Sequence, residues 1–101
     1  MIAKIQVSRI DWHGITVEIR YEPSWSLAMN SAYGWSMAHI ELHVIDPERA
    51  KLPVTDTGYR SHFVPNSVVI DAGGAIAFVR AWLDDEAQTP AWKDARQLSF
   101  L

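Results

Sequence analysis

Apolar and polar residues alternate one by one in three stretches of the chain, residues 3–8, 15–21 and 39–45. This period of two is typical of β-strands that bury one face. The apolar positions, which predict the inner face of a sheet, are Ala3, Ile5, Val7, Ile15, Val17, Ile19, Tyr21, Ile40, Leu42 and Val44. The positions between them are polar, so the pattern predicts an antiparallel sheet with one polar and one apolar face.

Turn-forming residues mark the ends of the predicted strands. The first two are joined by a short segment that ends in Gly14, and glycine accepts the positive φ that a tight hairpin needs. The alternation slips by one residue at Arg9 and Ile10, which predicts a β-bulge near this turn. The third strand ends at Asp46-Pro47, a pair typical of turns.

The last third of the chain has the spacing of amphipathic helices. Asp71 is a suitable cap for a helix that runs to about Ala87. Its apolar stripe is formed by Ala75, Ile76, Val79, Trp82 and Leu83, with Phe78 at the edge. Thr89-Pro90 predicts the start of a second helix, whose stripe consists of Trp92, Ala95 and Leu98. Residues 68–70 fit a short strand or a helix equally well.

Two long connections, residues 22–37 and 46–66, follow neither period. Such connections are uncommon in a small domain and tend to be functional or to contain a short strand. Residues 59–64 have the composition of a strand. The predicted fold is therefore α+β, with an antiparallel sheet of three strands, or four if this segment joins it, and two C-terminal helices packed on one face.

Composition narrows the class of protein. The 101 residues fit a single domain, 1–101, and five tryptophans provide apolar area for its core. The absence of cysteine excludes disulfides and thiolate zinc sites. No run approaches the roughly 20 apolar residues of a membrane span, and the N-terminus has no signal-peptide pattern. We therefore expect a cytoplasmic protein. Its net charge of −3, without a run of Lys or Arg, argues against nucleic-acid binding.

His39-x-Glu41-x-His43 places three ligand-type side chains on one face of a strand. The two histidines, however, lie ~13 Å apart along an extended strand, too far for both to bind one ion. We predict an ordinary polar sheet face here and no metal or other cofactor. Asp56-Thr57-Gly58 matches the triplet of aspartic proteases, but those enzymes need two such carboxylates in an all-β fold. A turn is the better interpretation, with local backbone hydrogen bonds and positive φ at Gly58.

The segment that follows this turn is the densest in functional groups. Strand alternation places Tyr59, Ser61 and Phe63 on one face and Arg60 and His62 on the other. With Asp56, the side chains of Tyr59, Arg60 and His62 form a candidate ligand-binding set, and an Arg–His pair near the glycines of residues 72–74 is suited to an anion. The alternative is structural: Arg60 pairs with Asp56 or Glu41, while Tyr59 and Phe63 pack in the core.

Aromatic side chains also concentrate outside the regular strands, at Trp12, Trp25, Tyr33 and Trp35. Exposed aromatic side chains near turns are suited to a protein interface. In a small domain, they more often close the ends of the core.

One stretch resembles a known group of proteins. The resemblance covers roughly residues 38–86, and its most distinctive part is Thr-x-Thr-Gly-Tyr-Arg-Ser-His-Phe, residues 55–63. The group consists of small uncharacterised bacterial proteins that are often found with plasmids and other mobile elements. The resemblance implies a bacterial cytoplasmic origin and an accessory role, and it supplies no activity or catalytic residue.

Three functions are compatible with these observations. The leading hypothesis is a non-enzymatic binding or accessory module that recognises a protein partner or a small anionic ligand through residues 56–63 and nearby aromatics. The second is a small enzyme with His62 as general acid or base, Arg60 holding an anionic substrate, and Tyr59 or Asp56 orienting the imidazole. The third is a homodimer formed through the polar sheet face or an edge strand.

Overall fold

The computed structural model describes residues 5–24 and 36–98, with side chains up to residue 94. The strands are Gln6–Trp12 (β1), Ile15–Glu22 (β2), Met37–Asp46 (β3) and Tyr59–Pro65 (β4), and the helices are Asn66–Asp71 (α1), Ala75–Glu86 (α2) and Pro90–Leu98 (α3). The strands form one antiparallel sheet in the order β1-β2-β3-β4. The α+β class is thus confirmed. The described part has four strands and three helices, where the pattern predicted three or four strands and two helices.

The hairpin between β1 and β2 is the one predicted. His13 and Gly14 have φ values of 52° and 81°, so both central residues of the two-residue turn are left-handed. This turn type matches the twist of the flanking strands. The Asp11 carboxylate accepts a hydrogen bond from the Gly14 amide at 2.9 Å and holds the turn closed.

The inner face of β1 is the opposite of the predicted one. Ile10 and Trp12 are 5% and 3% exposed, whereas Ile5 and Val7 are 54% and 55% exposed. The hairpin fixes the register, and that register places Ile10 directly opposite buried Val17. Because one step of register exchanges the two faces of a strand, Ile5 and Val7 at the start of β1 turn outward. Ala3, predicted on the same face, lies outside the described residues.

The predicted bulge at Arg9 and Ile10 is also wrong. Every residue of β1 pairs with one residue of β2 without interruption. The irregularity lies instead between Thr16 and Val17, where β2 pairs with β3. The slip in the sequence pattern therefore marks a change from exposed to buried apolar residues along one regular strand.

The core lies between the sheet and the helices. Its buried side chains are Ile10, Trp12, Val17, Ile19, Tyr21, Ala38, Ile40, Leu42, Leu52, Val64, Val69, Val79 and Leu83. Val69 from α1 and Val79 and Leu83 from α2 are fully covered, which explains why both helices lie on this face. Ile76 was predicted in the same stripe but is 44% exposed. It lies in the first turn of α2 and lines a surface cavity beside Val7, at the edge of the sheet.

The helix predicted from Asp71 to about Ala87 begins later than expected, and Asp71 does not cap it but ends a separate short helix. α1 ends at Asp71 and includes residues 68–70, which are thus helical rather than extended. Gly73 and Gly74 follow with φ values of 104° and 110°, outside the range of an α-helix, and α2 begins at Ala75. α3 begins at Pro90 as predicted, and the Thr89 hydroxyl accepts a hydrogen bond from the Trp92 amide at 3.3 Å.

The connection between β3 and β4 is anchored to the core by Leu52, which is 1% exposed. Leu52 and Thr55 exchange two backbone hydrogen bonds of 2.9 and 3.1 Å around a tight turn. At the end of the connection, the Gly58 carbonyl accepts a hydrogen bond from the Val44 amide at 2.8 Å. The chain thus enters β4 from a fixed position. Within the described ranges, no helix is long and apolar enough to cross a membrane.

Candidate functional site

The pairing of β3 with β4 brings two sequence patterns together. His39, Glu41 and His43 on β3 lie directly opposite Phe63, Ser61 and Tyr59 on β4. All six side chains point away from the helices, because the alternate residues of both strands face the core. We call these six residues the outer strip. The predicted alternation of residues 59–63 is confirmed.

Aromatic pairs form both ends of the outer strip. The rings of His39 and Phe63 are stacked, with centroids 4.4 Å apart and an interplanar angle of 11°. At the other end, the rings of His43 and Tyr59 meet edge to face at 4.9 Å. Tyr59 and Phe63 are 45% and 46% exposed, so the structural alternative that placed them in the core is wrong.

The middle of the outer strip is polar. His39 Nε2 and Ser61 Oγ form a hydrogen bond of 2.6 Å. Glu41 Oε2 accepts a hydrogen bond from the Tyr59 hydroxyl at 3.2 Å and lies 3.3 Å from His43 Nε2. Glu41 Oε1 lies 3.9 Å from His39 Nδ1, a distance for electrostatic attraction but beyond a hydrogen bond. Glu41 therefore does not orient the His39 imidazole as the third member of a catalytic triad would.

The carboxylate at the centre of the strip is held in its charged form. Burial acts to raise the pKa of Glu41, but the hydrogen bonds from His43 and Tyr59 and the charges of His39 and His43 together lower that pKa below its ordinary value. Among the described residues, the ion-pair partners of Glu41 are histidines. Glu18, on the same face of the sheet, lies 3.3 Å from Arg9 and 3.5 Å from Arg20.

Arg60 and His62 lie on the other side of β4, against α2. The His62 ring is 4.5 Å from that of Trp82 and 6.1 Å from that of Phe78. Arg60 lies over the same Trp82 ring at 5.7 Å and donates a hydrogen bond to the carbonyl of Val54 at 3.3 Å. Burial, with a smaller contribution from the Arg60 charge, lowers the pKa of His62. These contacts give both side chains a role in packing.

The ion pairs predicted for Arg60, with Asp56 or Glu41, are not among those of the described residues. Asp56 is exposed in the turn that was predicted around it. Thr55 Oγ1 donates a hydrogen bond to the Tyr59 carbonyl at 2.7 Å and accepts one from the Thr57 amide at 3.2 Å. Gly58 has a φ of 82°, as the turn interpretation expects.

The glycine segment after α1 borders a cavity of about 260 Å³. Its lining residues are Gln6, Val7, Ser8, Tyr21, Gly73, Gly74, Ala75 and Ile76. The Tyr21 hydroxyl donates a hydrogen bond to the Asn66 side chain. Arg60 and His62, the other parts of the predicted anion site, are not among the residues that line this cavity.

Trp12, one of the candidate interface aromatics, is buried. Its indole N–H donates a hydrogen bond of 2.9 Å to Asp84 on α2, and its ring contacts those of His13 and Trp92. Trp12 thus closes one end of the core. Trp25, Tyr33 and Trp35 lie outside the described residues.

The outer strip as a unit was missed at the level of sequence, although its two halves were recognised separately. The available signal was the matching spacing of His39-x-Glu41-x-His43 and Tyr59-x-Ser61-x-Phe63 around one predicted turn. Among the residues that the structure describes, no group of three or more His, Cys, Asp or Glu side chains is placed to hold a metal ion. The arrangement provides hydrogen bonding, one negative charge and two exposed aromatic rings.

Fold and strip together define a small α+β domain with an open, partly aromatic sheet face. A family profile described as the KlcB third domain matches residues 5–92, most of the chain, and the chain therefore belongs to this family. No match was found among curated proteins, and none among solved structures.

Proposed function

We propose that the chain is a non-enzymatic binding module that docks a partner protein on the outer strip. The observation that carries this proposal is the arrangement of two exposed aromatic rings, Tyr59 and Phe63, around a polar centre on an open sheet face. Aromatic side chains of this kind supply much of the binding energy in protein interfaces. The site extends the predicted 56–63 segment onto β3.

The outer strip is suited to binding because its side chains are already ordered. The Phe63 ring is stacked on His39, and the Tyr59 hydroxyl is bonded to Glu41. Association loses entropy when rotamer-rich side chains become fixed, and each such side chain costs about 0.5–1.5 kcal/mol. Ring pairs that are in place before binding avoid part of this cost.

The family description supports an accessory role. It names the third domain of KlcB, so in that protein the domain accompanies others. On the resemblance of residues 55–63, we place the module in the bacterial cytoplasm and seek its partner first among the products of neighbouring genes on a plasmid or other mobile element.

Paired surface variants test the proposal. Tyr59→Ser with Phe63→Ser removes the exposed rings of the strip, while Val68→Ser with Ile70→Ser removes exposed apolar side chains of α1 as a matched control. A protein captured from host extract by the wild type and the control, and missed by the strip variant, supports the proposal once its affinity is measured with purified components. Equal capture by both variants contradicts it.

The same variants address the homodimer hypothesis. If the outer strip is left open for a separate partner, the purified protein should sediment as a monomer. A dimer that the strip variant abolishes and the α1 control retains would assign the outer strip to a second copy of the chain instead.

A further inference from the structure

The charges on the outer sheet face are unequally paired. The outward-facing positions of β1, β2 and β3 carry five carboxylates and two guanidinium groups: Asp11, Glu18, Glu22, Glu41, Asp46, Arg9 and Arg20. Both guanidinium groups lie beside Glu18. The described strands thus carry an excess of negative charge on this face. Arg20 is the cross-strand neighbour of Glu41, but its guanidinium pairs with Glu18, and within the described ranges Glu41 forms no ion pair with Lys or Arg.

One oxygen of Glu41 has room for a further donor. Oε2 already meets the Tyr59 hydroxyl and His43, whereas among the described residues the approach of His39 at 3.9 Å is the one polar contact of Oε1. The Glu41 side chain is 28% exposed. A carboxylate with low pKa, partial exposure and an available oxygen is well suited to a cation from outside.

The shape of the strip selects the kind of cation. Across from Glu41 stands the short side chain of Ser61, and the aromatic pairs lie two residues away on either side, about 7 Å along the strands. On the β4 side, the strip therefore carries a small side chain between two aromatic ones. A planar group that enters over Ser61 can reach the face of Tyr59 or Phe63 within the roughly 6 Å of a cation–π contact.

We propose that the outer strip binds an arginine side chain of the partner protein, with its guanidinium on Glu41 and against the ring of Tyr59 or Phe63. This inference rests on the proposed function and adds the chemistry of the partner. Guanidinium is planar, always charged, weakly hydrated and forked, so it combines stacking with a carboxylate contact, whereas the compact ammonium of lysine is held by charge alone.

A peptide titration followed by NMR tests the inference without a known partner. The probe is acetyl-Gly-Gly-Arg-Gly-Gly-amide, and the control replaces arginine with citrulline, which has nearly the same shape but no charge. The arginine peptide should shift the amide signals of Glu41 and Ser61 and the ring signals of Tyr59 and Phe63, with a dissociation constant in the millimolar range. Equal shifts with the citrulline peptide, or none with arginine, overturn the inference, and so does equal binding of the lysine peptide.

Glu41→Gln should weaken arginine-peptide binding roughly tenfold, the size expected for loss of one charge-assisted hydrogen bond. Glu86→Gln, which neutralises an exposed carboxylate on α2, should leave binding unchanged. Once the partner protein is known, its binding to the variants tests the docking surface and the arginine assignment separately. If its binding is lost with Tyr59→Ser and Phe63→Ser but retained in Glu41→Gln, the arginine assignment fails and the docking surface stands.

Discussion

Gly58→Ala perturbs the turn from which the chain enters β4. Gly58 is buried and has a φ of +82°, a conformation that L side chains rarely adopt. An added Cβ would lie 3.1 Å from the Cα of Arg49 and 3.5 Å from the Cβ of Val44. The first of these is a backbone atom, so the contact is relieved only if the main chain moves.

The loss of stability in Gly58→Ala has two contributions, one from backbone strain and one from the close contact, and Gly14→Ala measures the first alone. Left-handed backbone costs about 1–2 kcal/mol for alanine, offset by about 0.4–1 kcal/mol from the less flexible unfolded chain. Gly14 has a φ of +81° and nothing within 4 Å of its added Cβ, so Gly14→Ala experiences this contribution alone. We expect it to lose about 0.5–1 kcal/mol. The backbone contact at Gly58 adds about 1–3 kcal/mol, the usual cost of overpacking.

Urea unfolding followed by tryptophan fluorescence measures both variants. Gly58→Ala should lower the free energy of unfolding by about 1.5–4 kcal/mol, more than Gly14→Ala, with an unchanged denaturant slope. Melting temperatures should follow, at roughly 4–8 °C per kcal/mol for a domain of this size. If the two variants lose the same stability, the close approach of the Gly58 turn to Arg49 is wrong.

Three further predictions concern the core and its titration. Because the pKa of His62 is lowered, the contribution of His62 to stability is complete above the ordinary histidine pKa of about 6.5 and is lost as the pH falls below that value. Urea midpoints measured across this pH range should therefore decrease less in His62→Gln than in the wild type. Leu52→Ala empties a site that is 1% exposed and should cost about 2–5 kcal/mol by thermal unfolding. Trp12→Phe removes the hydrogen bond to Asp84 and should cost about 1–3 kcal/mol; if adding Asp84→Ala to this variant costs as much as it does in the wild type, the bond contributes nothing.

Much of the fold was predictable because its signals are local. Gly14 and its neighbours define the hairpin, the alternation around Val17 and Leu42 defines two strands, and Thr89-Pro90 defines the start of α3. Each of these depends on a few consecutive residues. The division between α1 and α2 was less accessible, since Gly73 and Gly74 are compatible with a poor first turn as well as with a break.

The face of β1 could not be read from periodicity alone. The strand carries apolar residues in both frames, Ile5 and Val7 in one and Ile10 and Trp12 in the other. Only the pairing with β2 decides between them, because it places Ile10 beside the fully buried Val17. The sequence of β1 alone therefore does not determine which of its two faces is buried.

The outer strip could not be predicted from the sequence for a similar reason. His39 and Phe63 are 24 residues apart in the chain, and their contact depends on β4 pairing with β3 in one register. The residue types were recognised, but their association is a property of the sheet. The surroundings of Arg60 and His62 could not be predicted either, because the position of Trp82 on α2 decides what those side chains contact.

The most direct test of the docking surface is hydroxyl-radical footprinting of the chain, free and in complex with its partner. The rings of Tyr59 and Phe63 are about half exposed in the free domain and should be oxidised readily. On complex formation we predict severalfold protection of both rings, while Val68 and Ile70 on α1 keep their reactivity. Unchanged oxidation of Tyr59 and Phe63 in the complex, with protection on α1 instead, would contradict the assignment of the outer strip as the binding surface.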